Sequence, residues 1–220
     1  MAFEDFSLYT EVDPFGDVTK TSDMVSWVGL ESRNNNPTFV YDNFSIAAAT
    51  DKVHAFEYQN VIVADTPIQG VYTITDVIGD TVDAIANSTW LIFDIRSGPS
   101  FSARIYESGV NVSEDSMVAN DNANFVDFRI NATGGVAGNG QLTVVMFSDA
   151  GKTTEVDRVV VEATAETLAS FAAFVYPLSS RPLGAGLGVQ TSTGHFSDLD
   201  LDAAVNIIPI LEHYRRMMSQ

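Results

Sequence analysis

The run Phe125-Val126-Asp127-Phe128-Arg129-Ile130 alternates apolar with charged residues. Successive side chains of an extended chain point to opposite faces, so Val126, Phe128 and Ile130 share one side and Asp127 and Arg129 the other. Ten residues on, Gln141-Leu142-Thr143-Val144-Val145-Met146-Phe147 is again strand-like. Asp149-Ala150-Gly151-Lys152 then separates it from a run starting at Val156, which is the pattern of a hairpin.

Similar runs recur on both sides. They cover Met24 to Leu30, Thr38 to Tyr41, Phe56 to Ala64, Val71 to Ile78, Trp90 to Ile95 and Phe101 to Tyr106. Further along are Arg158 to Glu162, Leu168 to Tyr176 and Gly188 to Leu201. Val, Ile, Thr, Phe and Tyr dominate them, as suits a pleated, half-buried surface. Turn chemistry divides them at Asn34-Asn35-Asn36-Pro37, Ser97-Gly98-Pro99 and Gly134-Gly135. Many short strands with almost no helical period predict an all-β chain, a sandwich or barrel. No linker or internal repeat divides it, so one domain is expected over residues 1–201.

Residues 202–220 drop the alternation. Val205, Ile208, Leu211, Met217 and Met218 fall near helical spacing. Pro209 starts or kinks a helix there, and Arg215 and Arg216 suit its negative end. Two readings stay open for this tail: a helix packed on its own domain, or a segment that docks on a neighbouring subunit through Ile207, Ile208, Leu211, Tyr214, Arg215, Arg216, Met217 and Met218. In the second, the two arginines pair with the acidic body of an adjacent copy and the methionines adapt to it.

The 220 residues carry 29 acidic and 11 basic side chains, a net charge of -18, and no cysteine. Such a surface repels phosphate backbones and anionic lipid, so neither nucleic acid nor membrane is an expected partner. No apolar run reaches the roughly 18 residues that span a bilayer. Met1 to Phe6 lacks the basic and apolar regions of a secretory signal. Without cysteine there is neither a disulfide framework nor a thiolate metal site.

Quoted in order, several segments resemble a known group. They are Phe3-Glu4-Asp5-Phe6, Tyr9 to Pro14, Tyr41-Asp42-Asn43-Phe44, His54-Ala55-Phe56-Glu57-Tyr58, Gln141 to Asp149, Phe174-Val175-Tyr176 and Thr193 to Leu201. They resemble concanavalin-type and laminin-G-like lectin sandwiches found in bacteriophage and environmental viral genomes. The resemblance implies a two-sheet antiparallel jelly-roll sandwich and a place on a virion, made in the host cytoplasm. It implies no chemistry, because one fold hosts sugar binding, docking and scaffolding alike.

Catalytic sets are not evident. Glycoside hydrolysis needs two carboxylates flanking the sugar, and Glu155-Val156-Asp157 follows a turn with Glu162 misplaced. A serine triad or a zinc site needs histidine in a suitable context. His54, His195 and His213 lie in none, and the first two are expected at strand ends. Calcium is the more plausible ion because it takes oxygen ligands alone. Asp198, Asp200 and Asp202 alternate with Leu199 and Leu201 and are expected on one strand face, as a calcium site or as the wet side of a final strand. Trp27, Trp90, Tyr58, Tyr72 and Tyr106 are candidate glycan contacts, Trp27, Trp90 and Tyr106 foremost, with core burial the competing fate of both tryptophans. The expectation is therefore a non-enzymatic structural protein of a phage particle, as a capsid decoration, head fibre or tail component. It meets other virion proteins and copies of itself, with a trimer guessed and a host-surface glycan as a further partner. The alternative is a lectin-type carbohydrate-binding module that uses calcium.

Overall fold

The computed structural model describes residues 3–31, 38–44, 52–62, 69–75, 90–96, 100–118, 124–165, 173–180 and 191–201. After a 3-10 turn at Phe6–Leu8 the strands are β1 Thr10–Val12, β2 Val18–Lys20, β3 Met24–Glu31, β4 Phe39–Phe44, β5 Lys52–Ile62, β6 Gln69–Thr75 and β7 Trp90–Arg96. They continue with β8 Ser100–Glu107, β9 Val110–Val118, β10 Asn124–Asn131, β11 Gln141–Phe147, β12 Glu155–Glu162, β13 Ala173–Ser180 and β14 Thr191–Asp200.

Two seven-stranded sheets result. Sheet A runs β1-β4-β13-β6-β7-β8-β9 and sheet B runs β12-β11-β10-β5-β14-β3-β2. All described pairings are antiparallel, as for Phe128, which meets Val144 on one side and His54 on the other. This is the expected two-sheet sandwich.

The core lies between the sheets. Val126, Phe128 and Ile130 of β10 enter it with Leu142, Val144 and Met146 of β11 and Val159 and Val161 of β12. An aromatic cluster fills its middle. Phe56 stacks on Phe196 at 4.6 Å, and the Tyr72 ring lies 5.0 Å from Phe128. Burial holds the Tyr58 and Tyr72 hydroxyls well above their ordinary titration range, so both stay neutral.

Two bulges reset the period of their strands. In β3, Val25 and Trp27 face the core but so does Leu30, because Gly29 takes a φ of 66° and adds a residue. The register shifts opposite it, between Ser192 and Gly194. In β14, Phe196 and Leu199 both face the core, because Asp198 sits at φ 55° and the register shifts between Ser197 and Asp200.

The β11–β12 hairpin forms as the sequence predicts. Asp149 accepts from the Thr153 and Thr154 backbone amides at 3.1 and 2.8 Å. These donors, Thr153 first, hold its carboxyl below the ordinary value. Asp127 corrects the simple in-out reading of β10. It is 2 % exposed, not a wet residue. It accepts from Arg129 Nη2 at 2.8 Å and from Lys152 Nζ, which folds back from the hairpin turn.

Candidate functional site

Strand β8 separates two chemistries by its alternation. Phe101, Ala103 and Ile105 belong to the core, and Ser102, Arg104 and Tyr106 project from the opposite, outer face of sheet A. Register extends these outer residues into rows. Arg104 lies between Ile92 of β7 and Glu114 of β9. Ser102 lies between Asp94 and Ser116, and Tyr106 between Trp90 and Asn111. Thr73 and Thr75 of β6 continue the rows, opposite Ile92 and Trp90.

The rows are hydrogen-bonded and mostly polar. Arg104 is 0 % exposed, and its Nε lies 3.3 Å from Glu114 Oε1. Its Nη1 donates toward Tyr106 Oη at 3.5 Å. Asn111 Nδ2 donates to Glu114 Oε2 at 2.8 Å, and the Ser102 and Ser116 hydroxyls are 3.1 Å apart. A buried guanidinium is costly unless a carboxylate offsets it, and Glu114 does so here. Thr73 is buried and its hydroxyl has no hydrogen-bond partner among the described residues. Asn111, Glu114 and Ser116 lie toward solvent on the edge strand. The arrangement offers donors and acceptors in fixed positions. Of the carboxylates in these rows, Asp94 and Glu114, the latter is already engaged by Arg104 and Asn111.

The sequence-derived candidates divide. Trp90 and Tyr106 are cross-strand partners on this face. Nothing further is described of the Trp90 side chain. The Tyr106 ring is buried, so it underlies the face and is not an open stacking platform. Trp27 is corrected as a glycan contact. It is 1 % exposed, its ring lies 5.9 Å from Tyr58, and its Nε1 donates to Ser192 Oγ at 3.1 Å.

The expected carboxylate face of β14 is also corrected. The bulge leaves Asp198 exposed and carries Asp200 to a buried place opposite Ala55. Asp202 lies outside the described residues. Among the described residues no group of three or more metal-ligating side chains assembles.

Of the two described histidines, His54 lies near the start of its strand and His195 does not lie at a strand end. His54 is fully buried in β5, with Nδ1 2.7 Å from Tyr72 Oη. His195 lies mid-strand in β14, 3.5 Å from Glu57. The tail residues Ile207, Ile208, Leu211, Tyr214, Arg215, Arg216, Met217 and Met218, with His213, lie outside the described residues.

Sequence reasoning missed β9, whose Val110-Asn111-Val112-Ser113-Glu114-Asp115-Ser116 has too few apolar residues to signal a strand. The one available signal was Arg104, a charge placed inside the alternating run Phe101 to Tyr106.

No protein-family model matches the chain, and no curated protein matches it. Solved structures do. A legume lectin-like domain from Entamoeba histolytica superposes with a TM-score of 0.58 at 11% identity, covering 93% of this chain and 97% of that one. A point mutant of the Emp46p carbohydrate recognition domain gives 0.54 at 10% identity, covering 90% of each chain. A Bacillus licheniformis β-glucanase gives 0.51 at 7% identity, covering 92% of this chain and 98% of that one. None of these three is described as a virion protein, and the fold hosts binding proteins and glucanases alike. By fold, the chain is a jelly-roll sandwich of the kind shared by legume-type lectins and bacterial β-glucanases.

Proposed function

We propose that this chain is a lectin-type carbohydrate-binding module that seats its glycan on the outer face of sheet A. One observation carries the reading. The exposed Asn111, Glu114 and Ser116 line one outer sheet face, and the buried Arg104 beneath it fixes Glu114 in place. Sugars are recognised by fixed polar groups of this kind set beside aromatic rings. The shared fold with lectin domains supports the reading. The reading takes binding over hydrolysis because, of the two carboxylates in these rows, Glu114 is committed to Arg104 and Asn111, whereas glycoside cleavage needs two available ones.

The test is a glycan array followed by titration calorimetry of any hit, with and without a calcium chelator. The expected result is saturable binding of at least one glycan and no release of reducing ends from it. A silent array would sink the reading. Turnover of a bound polysaccharide would replace it with a glucanase-type one. Loss of binding under the chelator would restore a calcium requirement.

A further inference from the structure

The edge of sheet A farthest from β9 is ordered yet uncovered. Strand β1 closes the sheet there and, among the described strands, pairs only with β4. Strand β2, which closes sheet B, lies beside it. Lys20 of β2 donates to the Tyr9 carbonyl just ahead of β1, and its Nζ lies 3.7 Å from Glu11. The turn between the two strands is fixed by Asp13, which accepts from the Phe15, Gly16 and Val18 backbone amides at 3.2, 3.0 and 2.8 Å.

All three β1 residues are exposed. Leu8 is 77 % exposed, and Phe3, Val12 and Phe15 are exposed with it. These are four of the nine large apolar side chains exposed among the described residues, and they fall within residues 3–15. Apolar groups gathered on a surface mark an interaction site, and a sheet edge accepts a further strand. Charge then selects the partner. Residues 3–23 hold six carboxylates and one lysine, a formal charge of -5, and the lysine is engaged by Glu11. A second copy pairing β1 with β1 would bring the same charge to the same edge, so self-association here is disfavoured. A segment both basic and apolar complements both features.

We propose that this edge docks a basic, extended segment of a partner protein. The segment lies along β1, with apolar side chains on Leu8 and Val12 and lysines or arginines toward Asp5 and Glu11. The surface stands at the opposite edge of sheet A from Asn111, Glu114 and Ser116 of β9, so it is independent of the candidate glycan site.

The test uses the full chain and a labelled peptide of alternating lysine and valine, read by fluorescence anisotropy. A lysine–serine peptide of the same length and charge separates apolar docking from bare charge attraction. Leu8→Ser with Val12→Ser alters the proposed surface. Val156→Ser with Val160→Ser is the control, two exposed positions on β12, an edge strand of sheet B. The expected result is binding of the lysine–valine peptide at least fivefold tighter than of the lysine–serine one, weakened by added salt. The first variant should lose at least fivefold in affinity and the control nothing, with all three proteins monomeric by light scattering. No binding, equal affinity for the two peptides, or equal losses in the two variants would overturn the proposal. So would a wild-type oligomer that Leu8→Ser with Val12→Ser dissociates, because a second copy would then be the occupant.

Discussion

At the residue scale, two tyrosines in one core make opposite predictions. Tyr72 Oη bonds His54 Nδ1 at 2.7 Å, whereas the buried Tyr58 hydroxyl has no partner among the described residues. Removing one partner of a buried pair strands the other, but removing an unpaired hydroxyl costs little. Tyr72→Phe should lose about 1–2 kcal/mol in urea unfolding, and Tyr58→Phe should be neutral or gain stability. Equal losses would show that the Tyr58 hydroxyl is satisfied. Asp127 gives a third case. Asp127→Ala leaves Arg129 and Lys152 without their carboxylate, but both are partly exposed and can turn to water. The loss should be about 2 kcal/mol, below that for a fully buried pair. A loss under about 0.5 kcal/mol would mean that the cluster is solvated in solution.

At the element scale, the β11–β12 hairpin ties stability to pH. The Asp149 carboxyl is held below its ordinary value by the Thr153 amide first and the Thr154 amide after it. A depressed folded-state pKa contributes stability that is present above the unfolded pKa. It is lost as pH falls through the folded one, so the window lies below about pH 4. Asp149→Asn should lower Tm at neutral pH and flatten the Tm-versus-pH curve below about pH 4. A parallel curve would assign acid sensitivity elsewhere. This hairpin was legible in the sequence because its turn chemistry and both flanking periods agree. Strand β9 was not, since an edge strand with one wet face needs few apolar residues. The Asp198-Leu199-Asp200 stretch misled for another reason. Strict alternation assumes no extra residue, and the bulge at Asp198 inserts one, which splits the two carboxylates between exposed and buried places. Trp27 was ambiguous because an alternating strand shows which residues share a face and not which face meets the core.

At the scale of the whole molecule, the two sheets divide the work. Their inner faces make one aromatic-rich core, and the outer face of sheet A gathers Ser102, Arg104, Asn111, Glu114 and Ser116 from neighbouring strands. None of these groups is close to the others in a sequence pattern that names a motif. The register of β8 with β9 brings them together, which is why the fold was readable and this candidate site was not. The most direct measurement is titration calorimetry of an array-identified glycan against paired variants. Asn111→Ala with Ser116→Ala alters exposed positions on sheet A, and Thr19→Ala with Ser26→Ala alters paired positions on sheet B. The account predicts at least a tenfold loss of affinity for the first pair and none for the second. Unchanged affinity in the first pair, or a loss confined to the second, would contradict it.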